Sequence, residues 1–416
     1  MNHILIDCST LSKKTDGLTQ YTLNIIIEFL KNTADKYTLL CRRNELPKNY
    51  ISQLMAFGDR CTIEYVDIAT IGPKRDFQFR KWYRKNKIRF DVFYEPSAQY
   101  PFGVKGGLYT VHDILYEEFP EKLGKHSLLK KLFLHHVVKR GIKKSHSVVA
   151  VSEYTKAEIL KYHKHVCLAE KIRVVHEGYE HLTSIVINNE DEFVKKLLNF
   201  KEKFFLYIGS SRGHKNLHNL FLGYEKSGID WKLVIVGRMD RLEESDKELV
   251  EAINKEKERI VFTGWIDDIQ MYTILSHANA FVFPSKSEGF GIPILESYYF
   301  NVPLLCSDIP VFNEVAGNAC IKFNPFNIDD IATCFVNFRN IKDEELEDLL
   351  QKQKVQLRKY SWKSAAAAIH ELLVKEMANK KYSVARKKNI GCNTMRGGVV
   401  YNLYSQVAAY CNRSAA

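Results

Sequence analysis

Short apolar runs rich in β-branched residues alternate with amphipathic stretches along most of the chain, and this alternation limits the folds available to it. Strands are predicted at residues 4–8, 37–41, 62–66, 91–94, 108–111, 147–151, 172–176, 204–208, 232–236, 260–263, 280–283 and 303–306. Helical patterns lie between them, for example at residues 19–31, 126–144 and 217–226. Such alternation indicates βαβ units and parallel sheets. About twelve strands are too many for one core, so the pattern predicts an α/β protein with two doubly wound domains.

The boundary between the two domains is expected between residues 178 and 203, where residues 188–192 are polar and acidic in part. No Gly/Ser-rich linker occurs there, so we expect the domains to pack closely. We therefore divide the chain into an N-terminal domain (1–177), a C-terminal domain (178–376) and a basic tail (377–416). The tail carries seven basic residues and no acidic one, and the sequence assigns it no role.

Charge and composition exclude several classes of protein. The 61 Lys and Arg residues outnumber the 49 Asp and Glu residues, giving a net charge of +12, of which the tail supplies +7. The mildly basic remainder makes nucleic acid an unlikely partner and suits a nucleotide site or an anionic membrane surface better. No apolar run reaches the ~18 residues of a membrane span. Nine scattered cysteines without a C-x-x-C pair, and an N-terminus unlike a signal peptide, predict free thiols in a cytoplasmic protein.

Two loops that follow predicted strands carry the residues most suited to chemistry. In open α/β sheets, ligands bind beyond the carboxyl ends of the strands. The loop from Gly209 to Asn216 offers a glycine and the cations of Arg212 and Lys215, which suit a phosphate, although a solvated turn would have the same composition. The second loop, residues 284–291, leads into a predicted helix. Glu288 in this loop and Glu296 in the helix could each accept hydrogen bonds from two sugar hydroxyls. Alternatively, Glu288 is an exposed turn residue and Glu296 interacts favourably with the helix dipole.

The second loop also resembles a known motif. Ser-Glu-Gly-Phe-Gly-Ile-Pro-Ile-Leu-Glu-Ser at residues 287–297 has the Glu-x7-Glu spacing of the retaining family 4 glycosyltransferases, which have the GT-B fold. Lys-Asn at 215–216, Thr-Val-His-Asp at 110–113, residues 149–155 and residues 310–316 resemble further segments of that family, in the same order. The resemblance runs from about residue 4 to about residue 373. By pattern, the chain is most similar to the mannosyltransferase-like enzymes of O-antigen, lipopolysaccharide and capsule synthesis.

The resemblance implies a role for each matching residue. Lys215 would bind the donor diphosphate, Glu288 would hold donor-sugar hydroxyls, and His112 would sit against the transferred sugar. The donor-binding set would also contain Gly17, Gly209, Arg212, Gly289, Phe290, Gly291 and Glu296, the last on the ribose. The two doubly wound Rossmann-like domains of GT-B would face each other across a cleft, with the acceptor on residues 1–177 and the donor on 178–376.

The implied reaction moves a hexose from a nucleotide sugar, GDP-mannose or a UDP-sugar, to a saccharide acceptor with retention of configuration. No two aspartates lie two positions apart, and no His, Cys and carboxylate set has a convincing ligand spacing, so no metal and no other cofactor is expected. Histidines 135, 136, 163 and 165 are interpreted as helix-surface or loop residues. The chain departs from the family at Asp16-Gly17-Leu18-Thr19, Ser210, His214 and Glu177.

A basic and aromatic segment suggests where the acceptor comes from. Residues 74–89 contain eight basic residues, Lys74, Arg75, Arg80, Lys81, Arg84, Lys85, Lys87 and Arg89, interleaved with Phe77, Phe79, Trp82 and Tyr83. Such a segment suits an anionic bilayer or single-stranded nucleic acid, or is a solvated helix face. A second candidate combines Leu128, Leu129, Leu132 and Phe133 with Lys130 and Lys131. If the acceptor is a lipid-linked saccharide, these two segments predict that the protein binds peripherally to the inner face of the plasma membrane.

Two alternatives remain open at this stage. A nucleotide-sugar epimerase on the same fold would need no acceptor. A basic nucleic-acid-binding protein would bind DNA in a salt-sensitive manner and hydrolyse no nucleotide sugar.

Overall fold

The computed structural model describes residues 1–393 except residues 13–15, 44, 47, 87, 98, 120–126, 198–201, 240–241 and 256. Residues 1–373 form one compact unit, and residues 374–416 form another. The predicted tail at 377–416 belongs to the second unit. It is helical as far as Asn393, and residues 394–416 lie outside the described residues.

Two parallel sheets organise the first unit. Seven strands form the first sheet in the order β3-β2-β1-β4-β5-β6-β7, and six form the second in the order β10-β9-β8-β11-β12-β13. The strands are β1 His3–Cys8, β2 Lys36–Arg42, β3 Cys61–Val66, β4 Val92–Glu95, β5 Leu108–Val111, β6 Ser147–Ala150, β7 Ile172–Val174, β8 Phe204–Ile208, β9 Lys232–Val236, β10 Ile260–Gly264, β11 Ala280–Phe283, β12 Leu304–Ser307 and β13 Ile321–Phe323. Each order reverses once, between β1 and β4 and between β8 and β11. Ligands bind at such switch points.

Helices connect most successive strands of both sheets, and the last three helices follow β13. The helices are α1 Gly17–Asn32, α2 Lys48–Met55, α3 Pro73–Asn86, α4 Leu115–Glu118, α5 Ser127–Lys144, α6 Glu153–His163, α7 Glu192–Leu197, α8 Leu217–Ser227, α9 Glu244–Asn254, α10 Asp268–His277, α11 Ile292–Tyr299, α12 Pro310–Ala316, α13 Ile328–Arg339, α14 Asp343–Leu357 and α15 Trp362–Asn393. Short 3-10 helices occur at Gly58–Arg60, Ala169–Lys171, Glu180–Ser184 and Gly213–Lys215. The prediction of two doubly wound parallel sheets is confirmed.

The strands lie close to their predicted positions, because most are buried on both faces and are therefore apolar along their length. All four residues of β11 are buried, and so are those of β4, β5 and β12. Parallel strands covered by helices have this near-continuous apolar character. A buried apolar cluster packs on each sheet, with Phe79 and Tyr109 in the first and Phe205 and Phe335 in the second. Cys8, Cys41, Cys61, Cys167, Cys306, Cys320 and Cys334 are free thiols, as predicted, and all of these except the partly exposed Cys320 are buried.

The start of α15 lies against the N-terminal half, although the sequence assigns it to residues 178–376. The Trp362 indole packs edge-on against the Tyr21 ring of α1, and its ring N–H donates to His181. His370 hydrogen-bonds to Asp35, 2.8 Å away, in the connection between α1 and β2. The apolar pattern of a helix does not specify the surface on which it packs, so the sequence could not place this segment.

The basic segment is less exposed than its sequence suggests. Arg75 is fully buried in α3, where it pairs with Asp7 and Glu95, and Phe79 lies in the core. Trp82 and Tyr83 are only partly exposed, whereas Phe77 is 71% exposed. Arg75 and Phe79 therefore do not belong to the surface patch, and Lys87 lies outside the described residues. No helix within the described part of the chain combines the length and apolarity needed to cross a bilayer.

Candidate active site

A cavity of about 560 Å³ lies where loops from the two sheets meet. Its wall contains most of the residues selected from the sequence: Gly17, His112, Arg212, Lys215, Glu288, Gly289, Phe290 and Gly291. Asp113, Glu177, Ser97, Tyr116, Leu134 and Val138 are among the other lining residues. The cavity therefore brings together residues as far apart in the chain as Gly17 and Pro293, at the strand ends where the topology predicts a ligand.

Lys215 and Glu288 form an ion pair at this cavity. The lysine Nζ and the glutamate Oε1 are 2.6 Å apart, and both side chains are less than one-fifth exposed. Lys215 ends the 3-10 turn after β8, and Asn216 follows in the left-handed region with φ of 62°, which Asn tolerates well. Burial raises the pKa of Glu288, but the nearby charges of Lys215 and His214 outweigh it, so the net pKa is lowered. Glu288 is therefore ionised at neutral pH and is a strong hydrogen-bond acceptor.

His112 is held by protein groups at both ring nitrogens. Its Nε2 lies 2.8 Å from the Pro96 carbonyl oxygen and must donate to it, because a carbonyl only accepts. Its Nδ1 is 3.6 Å from Glu177 Oε1. Burial lowers the pKa of His112, but the bond to Glu177 and its charge raise it above the ordinary value overall. With Nε2 already carrying a proton, that nitrogen cannot act as a base.

Glu177 was not selected from the sequence as a site residue. It follows β7, is buried and lines the cavity beside His112. The rule that loops after strands carry ligands could have found it, since β7 lies at the edge of the same sheet. Asp113, the residue after His112, also lines the cavity, and burial raises its pKa.

Two helix N-termini face the cavity. Gly17 and Leu18 begin α1, while Ile292 and Pro293 begin α11. Asp16 caps α1 by accepting from the Thr19 N–H. No side-chain cap is recorded for α11, whose preceding residue, Gly291, has φ of 110°. Because the first N–H groups of a helix attract anions, the start of α11 suits a phosphate beside Lys215.

Gly289 closes the cavity on one side. A Cβ at this residue would lie 2.0 Å from the backbone oxygen of His112, so a larger residue would force the two halves apart. The Gly289 carbonyl accepts from the hydroxyls of Ser152 and Thr155, at 2.7 and 3.1 Å. Glu314 of α12 makes further hydrogen bonds between the two halves, because its carboxylate accepts from the first two backbone N–H groups of α6. These contacts hold the loop with Glu288 against the His112 loop.

Gly209 and Glu296 do not line the cavity. A Cβ at Gly209 would lie 2.5 Å from the Tyr207 hydroxyl, so this glycine is required by local packing. The Glu296 carboxylate accepts from the Tyr272 hydroxyl at 2.9 Å and lies 3.9 Å from His181 Nε2. Tyr272 and His181 line a second cavity of about 360 Å³. The donor-binding roles of Gly209 and Glu296 stay predictions.

A buried ion cluster supports the loop that holds His112. Arg75 Nη2 lies 2.6 Å from Asp7 and 3.2 Å from Glu95, and all three side chains have no exposed surface. Burial, with the charge of Asp7, raises the pKa of Glu95 to about 8. Glu95 also accepts from Ser97, the cavity residue after Pro96. The cluster thus fixes both ends of the Pro96 peptide whose carbonyl binds His112.

Comparisons with known proteins show which families and proteins this chain resembles in sequence. Residues 188–335 match the family described as Glycosyl transferases group 1. The O-antigen chain mannosyltransferase RfbU of Salmonella typhimurium is 30% identical over 254 residues, which are 61% of this chain and 65% of the relative, slightly under two thirds of its length. The O-antigen chain mannosyltransferase B of Escherichia coli is 22% identical over 281 residues, 66% of this chain and 71% of the relative.

A solved structure extends the similarity to the whole fold. Anabaena Alr3699/HepE in complex with UDP and glucose superposes with a TM-score of 0.68 at 14% identity, covering 90% of this chain and all of the other. The prediction of a GT-B architecture is confirmed by this likeness and by the two parallel sheets.

Proposed function

We propose, from its similarity to the group 1 glycosyl transferases, that the chain transfers a hexosyl residue from a nucleotide sugar to a saccharide acceptor. The observation that carries the proposal is the Lys215–Glu288 pair in the shared cavity, beside the N-terminus of α11. Mannose is the proposed sugar and GDP-mannose the first donor to test, since two relatives are named O-antigen mannosyltransferases. A UDP-sugar is the second donor, because HepE holds UDP and glucose.

The cavity offers a place for each part of such a donor. Lys215, Arg212 and the first N–H groups of α11 would bind the diphosphate, whose charge grows as it departs. Glu288 would accept from the sugar hydroxyls, and His112 of the adjoining loop would contact the sugar. Gly17 has no protein atom closer than 3.8 Å to the site of a Cβ, which leaves its backbone open to the donor. Leu134, Val138 and Tyr116 would line the acceptor side.

A panel of nucleotide sugars tests this proposal by thermal unfolding. A ligand that binds only the folded protein stabilises it by about 2.7 kcal/mol at a concentration 100 times its Kd. We expect one nucleoside diphosphate and its sugar to raise the melting temperature, with GDP-mannose the first candidate. The absence of any shift with GDP, UDP and their hexose derivatives would reject a donor site.

Lys215→Ala should weaken both binding of the nucleoside diphosphate and turnover. The ammonium offsets charge that increases on the departing diphosphate, so kcat should fall along with affinity. Titration calorimetry with the nucleoside diphosphate and steady-state kinetics measure the two effects. Lys286→Ala, which removes a nearby lysine that does not line the cavity, is the control. Unchanged affinity and turnover in Lys215→Ala would place the diphosphate elsewhere.

We further propose that transfer retains the anomeric configuration and needs no divalent metal at the diphosphate. The acceptor hydroxyl would attack the anomeric carbon from the face that the diphosphate leaves, and the departing phosphate oxygen would take the hydroxyl proton. Such a step needs no protein base, which suits a His112 whose Nε2 already donates to Pro96. NMR of the product linkage in excess EDTA tests both points. An inverted linkage would reject the mechanism, and activity lost in EDTA but restored by Mg²⁺ or Mn²⁺ would reject the metal-free site.

The acceptor is proposed to be a lipid-linked saccharide at the inner face of the plasma membrane, in the synthesis of a cell-surface polysaccharide. Arg80, Lys81, Arg84 and Lys85 of α3 are exposed. Leu128, Leu129 and Leu132 of α5 are 58–67% exposed, and the same helix lines the cavity with Leu134 and Val138. A bilayer bound by these helices would present its saccharides near the cavity wall.

Neutralising Arg80, Lys81, Arg84 and Lys85 together should weaken binding to vesicles with anionic lipid, by roughly 1 kcal/mol per charge near the surface. Co-sedimentation with the vesicles measures the loss. The control neutralises four exposed basic residues of another surface, Lys352, Lys354, Arg358 and Lys359, for the same change in net charge. Equal loss in both variants would mean a general charge effect, and no loss in either would leave α3 a solvated face.

A further inference from the structure

Three side chains on three separate helices converge at one point in the N-terminal half of the chain. Glu117 of α4, His135 of α5 and His163 of α6 each offer one ligand atom, and these atoms lie within 4.8 Å of one another. Within the described part of the chain, this is the group of His, Cys and carboxylate side chains with metal-like geometry. The sequence-based interpretation of these histidines as surface or loop residues is wrong for His163, which is only 2% exposed.

His163 is the least satisfied member of this cluster. Neither of its ring nitrogens has a hydrogen-bond partner, although the side chain is almost completely buried. Leaving a buried polar group unpaired costs about 1–3 kcal/mol, and such groups are uncommon in folded proteins. A buried imidazolium without a partner would cost more, so the ring is neutral and has a lone pair available as a ligand. A metal ion would give that lone pair a partner.

The other two members are already joined. His135 Nδ1 lies 2.5 Å from Glu117 Oε1, and the two imidazole rings of His135 and His163 have centroids 4.5 Å apart. Lys131 contacts the second oxygen of Glu117 at 3.4 Å, which leaves Oε1 directed at the histidines. His135 is about one-third exposed and gives an ion access from solvent.

We propose that Glu117, His135 and His163 bind one Zn²⁺ ion or a similar divalent transition metal. Two imidazoles and one carboxylate are a known zinc ligand set, in which a water completes the tetrahedron. Zinc bonds of about 2.0–2.2 Å place neighbouring ligand atoms roughly 3.4 Å apart. To reach that spacing, the most widely separated ligand atoms, within 4.8 Å of one another, must move closer together. His135 Nδ1 and Glu117 Oε1, now 2.5 Å apart, must move slightly apart. Binding displaces the proton that this pair shares.

The site would act as a brace of the cavity wall. Glu117 directly follows Tyr116, and His135 directly follows Leu134; both Tyr116 and Leu134 line the cavity. A metal bound to three helices would therefore fix the wall on which the acceptor is proposed to lie. It is separate from the donor site, and its presence does not depend on the proposed transfer.

Metal binding by the full chain, expressed without a histidine tag and freed of metal with EDTA, tests the proposal. After removal of EDTA, titration with ZnCl2 should show one ion per chain with a Kd in the micromolar range or below. His135→Ala, His163→Ala and Glu117→Gln should each lose at least tenfold in affinity. The matched controls His136→Ala and His165→Ala change exposed histidines beside the ligands and should bind as the unmodified protein does.

A second readout covers variants that fold poorly. Co²⁺ bound to the unmodified protein should show the visible absorption of a tetrahedral ion, and an equivalent of Zn²⁺ should abolish it. Circular dichroism of the metal-free variants shows which ones are folded. If His163→Ala unfolds because its side chain is buried, His135→Ala, whose side chain is partly exposed, serves as the test variant. Absence of stoichiometric zinc in the unmodified protein, or equal binding in folded His135→Ala, would overturn the proposal.

Discussion

Glu288→Ala is expected to reduce kcat/KM at least ~100-fold, on the order of 3 kcal/mol of transition-state stabilisation. The carboxylate is ionised, lies 2.6 Å from Lys215 and faces the cavity from a loop fixed by Gly289. Hydrogen bonds from the sugar hydroxyls to this carboxylate strengthen as positive charge develops on the sugar ring. The carboxylate therefore contributes to turnover and not only to binding. Steady-state kinetics with the donor found by thermal unfolding measure the loss.

The control for Glu288 is Glu153→Ala, which removes an exposed glutamate at the start of α6. That side chain is 65% exposed and does not line the cavity, so its kinetics should stay close to normal. Glu288→Gln keeps the shape but removes the charge, and should fall between the two. Near-normal activity in a folded Glu288→Ala protein would contradict the role of this carboxylate.

Arg75→Ala should lower the free energy of unfolding by about 3–5 kcal/mol, the cost of breaking a buried ion pair by removing one partner. Its guanidinium neutralises Asp7 and contacts Glu95 with no exposed surface. The substitution would leave the buried carboxyl groups of Asp7 and Glu95 without their cationic partner. Urea unfolding followed by circular dichroism measures the change.

Arg80→Ala is the matched control on the same helix. This arginine is exposed, and a surface substitution of this kind changes stability by about 0.5 kcal/mol or less. If Arg75→Ala unfolds at the same urea concentration as Arg80→Ala, the cluster does not hold the Pro96 loop by its charges.

The sequence was most informative where local pattern and burial coincide. Strands such as β8 and β11 are short apolar runs between turns, so their positions and their parallel pairing followed from periodicity. The loops after them carried Lys215 and Glu288, and the structure brings these two side chains into contact. The three-residue strand β13 was missed because it is too short to show an alternating pattern.

Features that depend on tertiary contacts could not be predicted. In sequence, Arg75 is one of eight basic residues in its segment. It alone among the described ones is fully buried, because Asp7 of β1 and Glu95 of β4 pair with it. His163 lies only two residues before the exposed His165, but it is buried and its ring packs beside that of His135 of α5. The partners of Arg75 and of His163 are distant in the chain, so the contacts cannot be predicted from local sequence spacing.

Release of nucleoside diphosphate from a nucleotide sugar tests the central claim most directly. The unmodified protein is incubated in EDTA with GDP-mannose and, separately, with UDP-hexoses, and free GDP or UDP is followed over time beside Glu288→Ala and Lys215→Ala. We expect one donor to yield its nucleoside diphosphate in many turnovers, slowly with water and faster with a saccharide acceptor, and both variants to lose this activity. Release at the uncatalysed rate from every donor, or equal release by the variants, would contradict a glycosyl-transfer site at Lys215 and Glu288.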